Sequence, residues 1–236
     1  MSMLITAAVV FLAIHLLIAG TPLRDAITGA IGEGPYLGLF SLASLGAIVW
    51  LALAFGAAHA SADNRVLFDL GRGAQDLAIP VVLIAFLIGV PGLMMPNPTS
   101  VGQSGAVSKE ETVRGILRVT RHPFLWGVAI WSAIHLAANG DLASIILFGT
   151  FLALSVLGTI SIDAKRKRKM GEAWTAFASR TSNLPFAAIV SGRNSLKVGE
   201  YLDWRFLAAI AIFVVVLFAH ARVIGVSPFP GGWLAF

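Results

Sequence analysis

The chain has no cysteine, and only 12% of its 236 residues are charged, about half the share found in soluble domains. The absence of cysteine excludes disulfides, iron–sulfur clusters and structural zinc sites with thiolate ligands. Any metal bound through nitrogen must therefore use the histidines, of which there are five. They are His15, His59, His122, His135 and His220.

Long apolar segments dominate what remains. Hydrophobic residues make up 57% of the chain, and the mean hydropathy is +0.84, which excludes an ordinary soluble enzyme, a disordered chain and a secreted disulfide-rich protein. Six stretches lack charge for long enough to cross hydrocarbon, which takes about 20 residues. They are 2–20, 35–60, 78–96, 122–140, 142–162 and 206–221. The first has no basic start or cleavage site, so we expect a retained helix. We predict a single all-α domain over residues 1–236, a polytopic membrane bundle of six transmembrane helices.

Basic residues are distributed unevenly between the connections. Residues 21–34, 97–121 and 163–205 hold 14 of the 17 Lys and Arg residues, and the alternate connections hold the other three. Because basic loops stay on the cytoplasmic side, we predict that these three connections are cytoplasmic. Both termini are then periplasmic, in the inner membrane of a bacterium.

Two of the cytoplasmic connections have helical patterns. Ser108 to Glu111 forms a capping box that would open a helix with Arg114, Arg118 and Arg121 on one face. Residues 165–180 combine five consecutive basic residues with Trp174 and Phe177, which is typical of an interfacial helix. We predict that this second stretch lies on anionic lipid headgroups.

Histidine is the residue type inside the spans that can support chemistry. The sequence contains no nucleotide-binding, nucleic-acid-binding or hydrolase motif, and the absence of charge within the spans argues against a proton pump or an ion-coupled transporter. His15 lies in the inward half of the first span, and His135 lies in the outward half of the fourth. The two are roughly 10 Å apart along the membrane normal. Asn139, one turn beyond His135, is a candidate to orient the ring of that histidine.

Each intramembrane histidine has two interpretations. It either forms an interhelical hydrogen bond or serves as an axial ligand of haem, for which neutral imidazole suits a cysteine-free chain. The haem carboxylates then need basic partners at an interface. The candidate partners are Arg24, Arg118 and Arg121, with His122 beside the last. A rival ligand set at one depth consists of His59, His135 and His220.

Seven groups of residues, spread over residues 11–193, together form a specific pattern. They are Phe11 to His15, Leu23 to Asp25, Gly32 to Tyr36 with Leu39 to Leu42, Arg118 to Pro123, Trp131 to Leu136, Asn139 to Asp141, and Arg180 to Ile189 with Gly192 and Arg193. In these motifs the sequence resembles the NnrU family of integral membrane proteins, which includes a branch of carotenoid cis–trans isomerases.

This resemblance implies a haem b protein whose iron is held by two residues that match His15 and His135, which would also be the catalytic residues. In the isomerase branch, a cysteine three residues before the second histidine is a proposed alternative ligand, and that position is Ser132 here. Asn139 to Asp141 follow the span as in the denitrification-associated bacterial members. These two features favour a redox factor of nitric oxide metabolism, with nitric oxide as a ligand. The alternatives are a haem-dependent isomerase of an apolar polyene, and a non-catalytic haem sensor or assembly subunit within a membrane complex or homo-oligomer.

Overall fold

The computed structural model describes residues 1–100, 103, 105–106 and 112–229. All regular elements in this part of the chain are helices, which confirms the predicted all-α class. The α-helices are α1 (Ser2–Leu12), α2 (Leu23–Ile31), α3 (Glu33–His59), α4 (Arg72–Met94), α5 (Ile116–Val119), α6 (Pro123–Ala138), α7 (Leu142–Ser179), α8 (Ala187–Val190) and α9 (Trp204–Ile224). A π-helical turn, Ala13–Ile18, continues α1, and a 3-10 turn, Val198–Tyr201, precedes α9.

Several of these helices have the length and composition of membrane spans. Helices α3, α4, α7 and α9 pass this test, and α1 with its π-turn passes it together with α2, to which it is bent by 76°. Helix α6 is apolar but has only 16 residues. The structure confirms the class of helical membrane protein, while the count of six spans stays a prediction.

Helix α7 is the element shared by two groups of packed helices. In the first group, α7 contacts α1 and α3, which also contact each other. In the second group, α7 contacts α6, α6 packs on α4, and α4 packs on α9. The side chains between α1, α3 and α7 form an apolar core that includes Leu4, Phe11, Leu51 and Ala143. This core fixes the positions of α1, α3 and α7 relative to one another, and with them the positions of their polar side chains.

Glycines allow α4 and α6 to approach closely. A Cβ atom placed on Gly127 would lie 2.8 Å from the carbonyl oxygen of Ala85 and 2.8 Å from the Cα of Gly89. One placed on Gly92 would lie 2.4 Å from the ring of Pro123. Small residues at helix contacts are a general feature of membrane bundles, because they let backbones pack against each other.

Gly127→Ala is therefore expected to destabilise the protein by about 1–3 kcal/mol, since backbone atoms of α4 must move to admit the methyl group. Gly46→Ala on α3 is the matched control, because a Cβ there meets nothing within 4 Å. Thermal unfolding in detergent compares the two variants. Equal stability of Gly127→Ala and Gly46→Ala would contradict the close packing of α4 on α6.

The three basic connections meet at one end of the bundle, which we call the basic end. There, Lys165 donates to the carbonyl of Ala19 at 3.1 Å, and Arg166 donates to that of Ser100 at 2.8 Å. At the opposite end, the amide of Leu142 donates to the carbonyl of Arg65 at 3.0 Å. This grouping agrees with the alternation of connections that the sequence predicts, and the orientation in the membrane stays a prediction.

The helix expected before Arg121 is shorter than the sequence suggested. Its capping box, residues 108–111, lies outside the described residues. Helix α5 is a single turn that contains Arg118, and Thr120 after it is extended, so Arg118 and Arg121 do not share one helical face. The residue before a proline is disfavoured in the helical region, and His122 before Pro123 is accordingly non-helical, with φ −118° and ψ 54°.

Candidate functional site

His15 lies within the π-helical turn that ends α1. Turns of this kind are rare and occur frequently at functional sites. The imidazole Nδ1 donates to the carbonyl oxygen of Phe11 at 2.8 Å, and the ring packs on those of Phe11 and Phe40. Because a carbonyl only accepts, Nδ1 carries the proton of the neutral ring, and Nε2 keeps its lone pair.

His135, on α6, repeats this arrangement. Its Nδ1 donates to the carbonyl oxygen of Trp131 at 2.8 Å, and its ring lies 4.8 Å from each of the rings of Trp131 and Phe148. Asn139 donates to the backbone carbonyl of His135 at 2.9 Å. The residue expected to orient the imidazole therefore binds the main chain, and the carbonyl of Trp131 orients the ring.

An aromatic layer connects the two histidines. The ring of Phe151 on α7 lies 5.6 Å from that of Phe11 on α1 and 5.7 Å from that of Trp131 on α6. His15 follows Phe11 by four residues, about one helical turn, and His135 follows Trp131 by the same number. We call Phe11, Phe151 and Trp131 the aromatic layer.

The two histidines lie on opposite sides of the aromatic layer along the bundle. Helix α1 runs parallel to α7, since Phe11 meets Phe151 and Ala19 meets Lys165. Helix α6 runs antiparallel to α7, since Trp131 meets Phe148 and His122 meets Asp163. His15 and His135 thus lie one turn from the aromatic layer in opposite directions, so the two residues are about 10 Å apart along the bundle.

The donor chemistry of His15 and His135 fits a metal-bearing group. A ligating histidine usually donates its second ring N–H to a carbonyl or carboxylate, which fixes the tautomer and the ring orientation, and both residues do so. Among the described residues, no group of three or more His, Cys, Asp or Glu is placed to hold a bare metal ion. Each imidazole could hold a metal-bearing group such as haem through the lone pair of Nε2, and the assignment of both residues as ligands stays a prediction.

Ser132 lies three residues, or about one helical turn, before His135. At this position the isomerase branch is expected to have a cysteine. The side chain of Ser132 is fully buried, and its Oγ has no hydrogen-bond partner among the described residues. A buried hydroxyl without a partner carries a free-energy cost, so this oxygen is available to a group that enters the site. Ser44 on α3 has a buried, unpartnered Oγ as well.

The three arginines predicted to bind haem carboxylates already bind carboxylates of the chain. Arg24 pairs with Glu33 and Asp25, Arg118 with Glu200 and Arg121 with Asp163. Arg118 also donates to Asn194 at 2.8 Å. Any haem carboxylate at these positions would share or replace an existing ion pair, and the assignment of Arg24, Arg118 and Arg121 stays a prediction.

A partly buried polar cluster surrounds Asp163 at the basic end. Its carboxylate accepts hydrogen bonds from two nitrogens of Arg121, from Nε2 of His122 at 2.6 Å and from Asn183 at 3.2 Å. The side chain of His122 is fully buried. Sequence reasoning identified Arg121 and His122 but missed Asp163 and Asn183. The available signal was that Asp163 is the first charge after a long apolar run.

The last turns of α7 pack on the protein. Trp174 and Phe177, the aromatic residues of the predicted interfacial helix, are 3% and 4% exposed and pack with Val113. The contact of residues 165–180 with anionic lipid headgroups stays a prediction. Gly171 breaks the helix with φ 53° and ψ −122°, a conformation that favours glycine. The rest of α7 is thereby redirected, and Trp174 lies under the guanidinium of Arg121 at 5.6 Å.

The rival histidines lie at the opposite end of the bundle. His59 is exposed, and its Nδ1 is 3.5 Å from the carboxylate of Asp141. His220 donates through Nδ1 to the carbonyl of Val226 at 2.7 Å. It is thus held through Nδ1 as His15 is, and it stays the alternative partner of His135.

Glu200 fastens the segment before α9 to α5. It accepts hydrogen bonds from the guanidinium of Arg118 at 2.7 and 2.8 Å and from the amide of Gly115. The bonds from Arg118 hold the pKa of the Glu200 carboxyl below its ordinary value of 4.5, against the opposing effect of burial.

Glu200→Gln is expected to lower the free energy of unfolding by about 1–2 kcal/mol at neutral pH. A lowered pKa stabilises the fold above the ordinary value, and this contribution is lost as the pH falls through that value and below it. The difference between Glu200→Gln and wild type should therefore shrink from about pH 7 to about pH 4 and below. Unfolding in detergent at several pH values measures it, and a pH-independent difference would contradict the ionic role of Glu200.

The fold and the site define an all-α membrane protein with two histidines inside its helices, each of which hydrogen-bonds through Nδ1 to a backbone carbonyl one turn earlier. The chain belongs to the NnrU protein family, whose model matches residues 3–228. It is 32% identical over 109 residues to the chloroplastic 15-cis-zeta-carotene isomerase of Zea mays, and 32% identical over 116 residues to that of Arabidopsis thaliana.

These two similarities cover 45% and 48% of this chain but only 30% and 32% of the relatives. The matched region is thus about a third of the length of each isomerase. No solved structure matches the chain significantly.

Proposed function

We propose that the protein is a membrane cis–trans isomerase of a long conjugated polyene, with His15 and His135 as ligands of haem b. The observation that carries the proposal is the pair of imidazoles on either side of one aromatic layer, each anchored through Nδ1 and without a partner at Nε2 among the described residues. Similarity to two proteins named 15-cis-zeta-carotene isomerase supports a polyene as the substrate.

The residues of the chain have separate tasks in this reaction. His15 and His135 hold and orient the group, and the aromatic layer offers the conjugated chain an apolar surface that excludes water. Haem, when bound, supplies a redox-active iron that can lower the bond order of a neighbouring double bond. The polyene rotates about that bond and gains or loses no atoms, so the site needs no general acid or base. The apolar spans match this requirement.

The sequence alone favoured a redox factor of nitric oxide metabolism over an isomerase, on the strength of Ser132 and of Asn139 to Asp141. The relatives found by comparison carry the isomerase name, and they favour the second interpretation. The location in a bacterial inner membrane with periplasmic termini is part of the proposal, since both relatives are chloroplastic.

The direct test of the function is the conversion of 15-cis-ζ-carotene by purified protein loaded with haem and reduced. Formation of the 15-trans isomer supports the isomerase. Haem binding without conversion would instead support a sensor or an assembly subunit. A spectral change with nitric oxide and no conversion would restore the first interpretation.

Ser132→Cys tests whether position 132 faces the iron. A thiolate is a strong iron ligand and a serine hydroxyl is not, so the variant is expected to gain a spectrum that differs between the oxidised and reduced protein in a way wild type does not. Ser44→Cys is the matched control, because it introduces the same thiol at another buried, unpartnered hydroxyl. Visible and electron paramagnetic resonance spectra measure the ligand. Identical spectra for Ser132→Cys and wild type would place position 132 away from the iron.

A further inference from the structure

Positive charge accumulates where the π-turn after α1 meets α7 at the basic end. Arg24, Arg166 and Lys169 lie near enough to Lys165 to disfavour its charge, and Arg24 does the same to Arg166. Two carboxylates oppose them. Asp25 pairs with Lys169 at 2.6 Å and with Arg24 at 3.6 Å, and Glu33 pairs with Arg24.

Lys165 and Arg166 have no carboxylate partner among the described residues. The Nζ of Lys165 donates to the carbonyl of Ala19, and a terminal nitrogen of Arg166 donates to the carbonyl of Ser100. Both acceptors are neutral. The Nε of Arg166 is buried and has no partner in the described part of the chain.

This arrangement is costly unless something else neutralises it. Both side chains are partly buried, and burial weakens the solvation of a charge. The neighbouring cations raise the cost further, because like charges at short range repel more strongly in a medium of low dielectric constant. A cation at the end of a helix interacts favourably with the final carbonyls, which accounts for the contact of Lys165 with Ala19 but not for the unpartnered Nε of Arg166.

The position of the pair relates it to the aromatic layer. Lys165 and Arg166 follow Phe151 by close to a whole number of helical turns, so they lie on the same side of α7 as that ring. Lys165 reaches the turn after α1, and Arg166 reaches the segment after α4. At the basic end, Lys165 thus lies on the side of α1, and Arg166 lies on the side of the segment after α4.

We propose that Lys165 and Arg166, together with Arg24, form a binding site for one oxyanion. Ammonium and guanidinium groups bind phosphate and carboxylate oxygens through charge-assisted hydrogen bonds. A phospholipid phosphate at the membrane surface and a carboxylate of haem offer the same chemistry at this location. The site does not depend on the proposed isomerase activity.

The site differs from the diffuse lipid anchor that the run of basic residues suggested. A diffuse anchor depends on exposed charge, and the exposed members of the run are Lys167, Arg168 and Lys169. A specific binding site depends instead on the partly buried side chains of Lys165 and Arg166. Because Lys167 and Arg168 repeat the composition of Lys165 and Arg166, the chain provides its own matched control.

The experiment compares Lys165→Gln/Arg166→Gln with Lys167→Gln/Arg168→Gln in the full chain. Native mass spectrometry in detergent measures the retention and the affinity of phosphatidylglycerol, and the same samples are scored for haem content. Wild type is also reconstituted with haem whose carboxylates are methyl esters. Circular dichroism and thermal unfolding verify that each variant is folded, and Lys165→Arg serves as a variant that keeps the charge.

We expect Lys165→Gln/Arg166→Gln to bind its anion roughly tenfold or more weakly, while Lys167→Gln/Arg168→Gln and Lys165→Arg stay near wild type. Loss of phosphatidylglycerol with unchanged binding of the haem ester identifies a lipid phosphate. Loss of haem, together with weak binding of the ester by wild type, identifies a haem carboxylate. Unchanged lipid and haem in the folded double variant, or equal losses in both double variants, would overturn the site. If Lys165→Gln/Arg166→Gln does not fold, Lys165→Gln alone must show the same preferential loss.

Discussion

Replacing His15 or His135 by alanine is expected to abolish the Soret absorption of the protein reconstituted with haem, together with the proposed isomerase activity. Each imidazole is held by a carbonyl one turn earlier, so that Nε2 is presented as a ligand. Removal of either residue would leave the proposed haem with one of its two protein ligands. Visible spectra and haem content of the purified variants measure the effect.

Two further histidine variants complete this prediction. His59→Ala should keep the wild-type spectrum, because His59 is exposed at the opposite end of the bundle and lies beside Asp141. His220→Ala distinguishes the rival ligand set. An unchanged spectrum in His15→Ala with a lost Soret band in His220→Ala would replace His15 by His220 as the partner of His135.

Asp163→Ala is expected to destabilise the protein by about 3–5 kcal/mol, the range found when one member of a buried ion pair is removed. The carboxylate of Asp163 binds Arg121, His122 and Asn183. Its loss leaves the guanidinium of Arg121 without a counter-charge at a side-chain exposure of 14%. Thermal or chemical unfolding in detergent measures the change.

Asp76→Ala is the control for Asp163→Ala. Asp76 pairs with Arg72 on the surface of α4, at 3.9 Å and with both side chains more than half exposed, and such pairs contribute little. We expect Asp76→Ala to stay within about 0.5 kcal/mol of wild type. A loss for Asp163→Ala as small as that for Asp76→Ala would show that the polar cluster does not stabilise the basic end.

The class of fold was predictable because one physical effect dominates it. Long uncharged stretches are costly in water and stable as helices in hydrocarbon. Hydropathy along the sequence is therefore enough to identify α3, α4, α7 and α9 as candidate membrane spans. The 76° bend between α1 with its π-turn and α2 was not predictable from hydropathy. It depends on the wide turn at Ala13–Ile18 and on the short connection after it, in which Pro22 is the N-cap of α2.

The site was only partly predictable, for a different reason. His15 and His135 are identifiable because a polar ring is rare within an apolar span. The partners of the basic residues were not, since Asp163 and Glu200 lie 42 and 82 residues from the arginines that they bind. Trp174 and Phe177 illustrate the same limit, because an amphipathic pattern does not distinguish packing on lipid from packing on the protein.

The measurement that tests the central claim most directly is chromatographic analysis of 15-cis-ζ-carotene incubated with the reduced, haem-loaded protein in liposomes. His15→Ala and His135→Ala in the same lipid serve as controls. The account predicts conversion to the 15-trans isomer by wild type and none by either variant. Absence of conversion by wild type that carries a full complement of haem would contradict the proposed isomerase, and conversion by the haem-free variants would contradict the role of the two histidines.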